Sequence, residues 1–141
     1  MVDKITDFEE LQCRKLAIRL YYNMSEQAKK SDWDAEDELV CRWLVSSLHI
    51  SGKIAFAFGA EDHAWFLERL PLARKYCFES AFWTRIMEKK KMLSKSKAQE
   101  YQMMIKRILK KIDAIIRYLE RYGEEEKYDW QVFFENSDQR I

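Results

Sequence analysis

Glycine and proline are almost missing from this chain of 141 residues, which holds three of the first and one of the second. An all-β domain needs turn residues between many short strands, so this shortage excludes that class. Histidine is as scarce. Neither His49 nor His63 follows a Glu by three residues, the spacing that di-iron helical bundles use. His-x-x-x-His and Cys-x-x-Cys are absent, so zinc finds no ligand set, and no glycine-rich loop offers itself to phosphate. The cysteines Cys13, Cys41 and Cys77 are odd in number and sit in apolar helical stretches; they read as reduced core thiols of a cytoplasmic protein. Cys77 has no histidine close in sequence to take its proton, and His63 reads as a solvated residue. With the usual catalytic constellations missing, the chain reads as non-enzymatic, with neither cofactor nor metal.

What is present is charge and helical period. Charged residues make up 35% of the chain and nearly cancel, at +1. They are segregated, however. Residues 1–40 carry six Lys and Arg against ten acids, residues 88–111 nine against two, and residues 120–141 three against seven. A basic surface between acidic flanks follows, able to meet a polyanion locally. The first ten residues hold four acids and no apolar run, unlike a secretory leader.

Residues 34–59 organise the rest. Asp34 is placed to cap a helix, with Glu36, Asp37 and Glu38 at the positive end of its dipole. From Leu39 to Phe58 nearly every residue is apolar, which predicts a helix packed on several sides. Its length would span a membrane, but Arg42, Ser46, His49 and Lys53 form a polar seam at steps of four, three and four, and make it a helix of a soluble protein. The seam has two readings: a sliver of solvent-exposed helix, or a surface turned toward other subunits of a symmetric oligomer.

Ahead of it, Thr6 and Glu9 fit a capping box, and a first helix is predicted to about Lys29, with Phe8, Leu11, Ile18, Tyr21 or Tyr22, and Met24 inward. A third helix is predicted over 62–91, its apolar stripe including Phe66, Leu70, Ala73, Cys77, Phe78, Phe82 and Met87. Pro71 lies inside it and predicts a kink, or a restart near Leu70. After a turn capped by Ser94 or Ser96, a fourth helix runs over 97–122, with Tyr101, Met104, Ile105, Ile108, Ile112, Ile115, Ile116 and Leu119 on one face and Gly123 as its stop. Four such helices with short turns make an all-α, antiparallel up-down-up-down four-helix bundle over residues 1–123. Residues 124–141 form an acidic and aromatic C-terminal tail, with Tyr128, Trp130, Val132 and Phe134 in a strand-like alternation. Its aromatics, Tyr128, Trp130, Phe133 and Phe134, are the candidate partner-binding residues; the other reading folds them back into a groove of the bundle.

The candidate nucleic-acid-binding residues are the cations. Lys89, Lys90, Lys91 and Lys95 crowd the turn before the last helix, and Lys106, Arg107, Lys110, Lys111 and Arg117 lie along that helix. Arg42 and Lys53 of the seam join them. A solvated helix face is the ordinary reading of such lysines; the scarcity of acids beside them favours a phosphate-binding surface.

Several residues carry a resemblance. Phe8-Glu9-Glu10-Leu11, the Lys53-Ile54-Ala55-Phe56-Ala57-Phe58-Gly59 end of the second helix, then Asp62, Phe66-Leu67, Leu70, Ala73 and Glu79, and Leu93-Ser94 are similar to the pattern of a four-helix-bundle family. That family includes proteins encoded in intervening sequences of bacterial 23S ribosomal RNA genes and the accessory variability determinant of diversity-generating retroelements. Lys53, Phe56 and Ala57 depart from its usual Asn, Glu and Gly. The resemblance implies a homopentameric ring and, for the bacterial and phage retroelement branch, a basic barrel that binds a reverse transcriptase and its RNA. The expected function is therefore an RNA-binding accessory subunit of a reverse transcriptase. The alternatives are a structural ribosomal-insert-type protein and a protein–protein adaptor that uses the aromatic tail.

Overall fold

The computed structural model describes residues 4–60 and 62–122. They form four α-helices: α1 (Lys4–Lys30), α2 (Glu38–Phe58), α3 (His63–Lys89) and α4 (Lys95–Tyr122). Each helix packs mainly on its neighbours, α1 on α2 and α4, and α3 on α2 and α4, so α2 and α4 face each other across a diagonal. Matching contacts run in opposite senses along adjacent helices. Trp43 meets Thr84 while Phe58 meets Phe66, and Ala81 meets Gln102 while Arg74 meets Asp113. This is the antiparallel up-down-up-down bundle expected from the sequence. Among the described residues there is no strand, and no helix is long and apolar enough to cross a membrane.

The core centres on Trp43, which is fully buried and meets the rings of Trp33 and Tyr101 edge-on at 5.8 and 5.4 Å. Leu20, Met24, Ile50, Ile54, Leu70, Met87, Ile108, Ile112 and Ile115 complete it. The stripe predicted on α4 is buried throughout except for the half-buried Met104, because its period matches the helix turn by turn.

Helix ends differ in detail. Asp37 caps α2, its Oδ1 accepting the Val40 N–H at 3.0 Å, while Asp34 accepts from Glu36 in a turn outside the helix. Thr6 lies within α1, which begins at Lys4, so it is no cap. Ser94 caps α4, its Oγ accepting the Lys97 N–H at 3.1 Å. α3 runs unbroken through Pro71, without the restart that the proline suggested; surrounding packing outweighs one lost backbone bond. Two helices end in Schellman motifs built without glycine. Asp32 (φ 52°) and Lys91 (φ 62°) are left-handed, and the next residues, Trp33 and Met92, bond back to the carbonyls of Ala28 and Met87.

Candidate nucleic-acid interface

α4 turns its cations outward. Lys106, Lys110 and Arg117 follow at steps of four and seven on one exposed face, with exposed Arg107 beside them and Lys111 half-buried at its edge. Lys89, Lys90, Lys91 and Lys95 are exposed around the α3–α4 turn. Ion pairs among the described residues of this region include Arg74 with Asp113 at 3.3 Å and Lys97 with Glu100 at 3.3 Å. None of Lys89, Lys90, Lys91, Lys95, Lys106, Arg107, Lys110 or Lys111 pairs with a described acid. Unneutralised cations of one sign on one side of a molecule attract polyanions.

Sequence reasoning missed the neighbouring face of α3. Phe78 and Phe82, assigned above to the core stripe, are 60% and 53% exposed. Lys75, Phe78, Phe82, Arg85 and Lys89 follow at steps of three, four, three and four, so one outward face sets two adjacent rings between Lys75 on one side and Arg85 and Lys89 on the other, and all five are exposed. The contacts Arg74–Asp113 and Gln102–Ala81 fix the register of α3 against α4. They set the Phe78–Phe82 turn beside the stretch of α4 that holds Met103, Lys106, Arg107 and Lys110. Met103 is itself 65% exposed. The spacing was readable in the sequence, but a phenylalanine at helical period counts as core unless burial is known. Ile18 errs the same way and is exposed, and of Tyr21 and Tyr22 it is Tyr21 that is half-buried.

Arg42 and Lys53 do not join this surface within one chain. They lie on α2, across the bundle diagonal from α4. The Arg42 guanidinium pairs with Glu38 at 2.8 Å and sits 5.5 Å from the Trp83 ring, and the Lys53 ammonium lies 5.7 Å from Phe56 and 6.0 Å from Tyr76. Of the seam, Arg42 and His49 are exposed, Lys53 is half-buried, and Ser46 is buried with its hydroxyl donating to the Trp43 carbonyl at 2.8 Å. Arg42, Ser46 and His49 line a groove of about 450 Å³ between α2 and α3, facing Lys75, Tyr76 and Glu79.

The outer edge of α2 is apolar instead. Cys41, Val45, Leu48, Gly52 and Phe56 are exposed at steps of four, three, four and four, the spacing of a helix–helix seam. A Cβ built on Gly52 would meet nothing within 4 Å. At the lower end Arg69 lies between two exposed rings, 4.1 Å from Phe56 and 5.4 Å from Trp65, and donates to the Phe56 carbonyl at 3.2 Å. Cys13 and Cys77 are buried as expected, whereas Cys41 is exposed on this edge. Among the described residues, no three of His, Cys, Asp and Glu gather as a metal would require. The tail aromatics Tyr128, Trp130, Phe133 and Phe134 lie outside the described residues, as does Gly123.

No family model matches the chain, and no curated protein matches its sequence. Its fold matches a solved structure, a protein with unknown function from the S23 ribosomal protein family of Bacteroides thetaiotaomicron. The TM-score is 0.66 at 17% identity, over 80% of this chain and 98% of that one. At that identity the likeness establishes a shared four-helix fold.

Proposed function

We propose that the chain is a non-enzymatic, RNA-binding scaffold that works as a homo-oligomer, an accessory subunit of a reverse transcriptase in a retroelement-type system. The observation that carries the RNA reading is the run of exposed cations, Lys106, Arg107 and Lys110 with Lys89, Lys90, Lys91 and Lys95, that have no acid partner among the described residues. Self-association is supported by the apolar seam on α2. A soluble helix that exposes Val45, Leu48 and Phe56 in line, with a glycine between them, is suited to close packing against a second copy. A ring of five and the polymerase partner rest on the family resemblance. A structural role beside ribosomal RNA is the second reading, favoured by the family of the solved neighbour.

Reversing charge at Lys106, Arg107, Lys110 and Lys111 tests the RNA reading. Binding to a single-stranded RNA is expected to weaken. The slope of log affinity against log salt is expected to fall by about 3, at about 0.7 for each phosphate no longer neutralised. Unchanged affinity and slope would remove these cations from the interface.

A further inference from the structure

We infer that the outward face of α3 is a stacking platform for unpaired bases, which makes single-stranded RNA the ligand class of the interface. This rests on the RNA-binding reading and specifies what that surface holds. Three observations converge. Phe78 and Phe82 each leave more than half of their surface in solvent, although the Phe82 ring also meets Trp83 edge-on at 4.9 Å. Arg85 and Lys89 follow them on the same face, about one and two helical turns beyond Phe82. The register of α3 on α4 then continues the face into Lys106 and Lys110, which make no ion pair with a described acid.

Cations that track a backbone beside aromatic rings that accept bases are the two parts of a single-strand binding surface. Phosphate oxygens meet Lys106, Lys110, Arg85 and Lys89, while adjacent bases turn onto Phe78 and Phe82, one helical turn apart. A protein partner would be served by the apolar rings but has no use for so many unpaired cations around them. A duplex would be served by the cations and leave the rings idle, since its bases are stacked on one another. Single-stranded RNA uses both.

The full chain is titrated, by fluorescence anisotropy, with a labelled RNA strand of about 16 nucleotides and with the same strand annealed to its complement. The wild type is expected to prefer the single strand. Phe78→Ala and Phe82→Ala are each expected to weaken single-strand binding about 5- to 150-fold, leave duplex binding unchanged and keep the salt slope. Phe78→Leu and Phe82→Leu keep apolar area and lose the π-face, so they are expected to bind as poorly as the alanine variants, and Phe→Tyr to bind like wild type. Helical circular dichroism and native mass spectrometry accompany each variant.

Wild-type-like RNA binding by the alanine or leucine variants would overturn the platform while leaving the charged interface standing. A changed oligomer mass would assign the rings to contacts between copies and overturn it too. If wild type binds neither RNA, the platform and the RNA reading fall together.

Discussion

Trp43 donates its indole N–H to the Thr84 hydroxyl at 2.9 Å across the α2–α3 interface, and both side chains are fully enclosed. Thr84 in turn donates to the Ser80 carbonyl at 2.8 Å, so the hydroxyl is occupied as donor and acceptor. Thr84→Val preserves shape and removes the acceptor, leaving a buried N–H unpaired. The expected loss is about 1–3 kcal/mol, read from urea unfolding. Adding Trp43→Phe removes the orphaned donor, so the double variant is expected to lose less than the sum of the two single changes. Strict additivity would show the bond contributes nothing.

The fold was legible and the site only in part, for one physical reason. Period reports which residues share a face, and it reports the core only where one face alone is apolar. On α4 that condition holds, and every residue of the expected stripe is buried except the half-buried Met104. On α3 the outward face carries Phe78 and Phe82 as well, so the apolar stripe looked wider than the core it fills. Ser46 shows the converse. It belongs to the polar seam by spacing, yet it is buried because its hydroxyl donates to a carbonyl three residues back in its own helix. The cations of α4 were found from sequence because lysine heads seek water in nearly any fold.

Cys77 is enclosed between helices, and its thiol is pushed up from about 9 to about 12, by burial first and by the charge of Asp113 second. Because the folded-state value lies above the unfolded one, the folded chain holds this proton more tightly. The stabilisation is complete below pH about 9 and is lost as pH rises toward 12. Unfolding free energy is therefore expected to fall between pH 9 and 11, and less steeply in Cys77→Ala. Tyr101, whose phenol burial also pushes up to about 12, contributes to the fall that remains. Equal slopes in the two proteins would contradict the assignment. Iodoacetamide at pH 8 should mark Cys41 in the dissociated chain and spare buried Cys13 and Cys77 until denaturant is added.

The α2 seam sets out a second test. In a free helix, Gly52→Ala is expected to stabilise by about 0.5–1 kcal/mol, since the new methyl meets nothing and glycine is a poor helix former. In an assembly packed across that glycine, a larger side chain keeps helices apart. Leu48→Glu and Gly52→Leu are thus expected to reduce the mass seen by native mass spectrometry from near five times 17.1 kDa to 17.1 kDa, with helical circular dichroism retained. A wild type already at 17.1 kDa would remove the ring and leave the seam to another partner.

Removing residues 124–141 separates the scaffold from the adaptor. Their six acids oppose binding to a polyanion, so the truncated chain is expected to bind RNA at least as tightly as the full chain. An adaptor working through Tyr128, Trp130, Phe133 and Phe134 would keep its fold and lose its protein partner. The readouts are RNA anisotropy and pull-down of a co-expressed reverse transcriptase. Loss of RNA binding on truncation would place the tail in the interface, against its charge.

Lys91 joins backbone geometry to the proposed role. It holds the left-handed position that ends α3, φ 62°, where a Cβ is disfavoured and glycine is the usual occupant. Lys91→Gly keeps the Schellman bonds from Lys91 to Glu88 and from Met92 to Met87, since both are made by backbone. Relief of about 1–2 kcal/mol of left-handed strain, offset by about 0.5–1 kcal/mol for the extra backbone entropy of glycine, is expected to raise unfolding free energy slightly. The same change removes one exposed cation from the basic turn, so the salt slope for RNA should fall by about 0.7. A variant gaining stability while losing RNA affinity would mean that a cation is retained here against the preference of the turn. A gain in stability with RNA binding unchanged would strip Lys91 from the interface and leave it an ordinary strained cap.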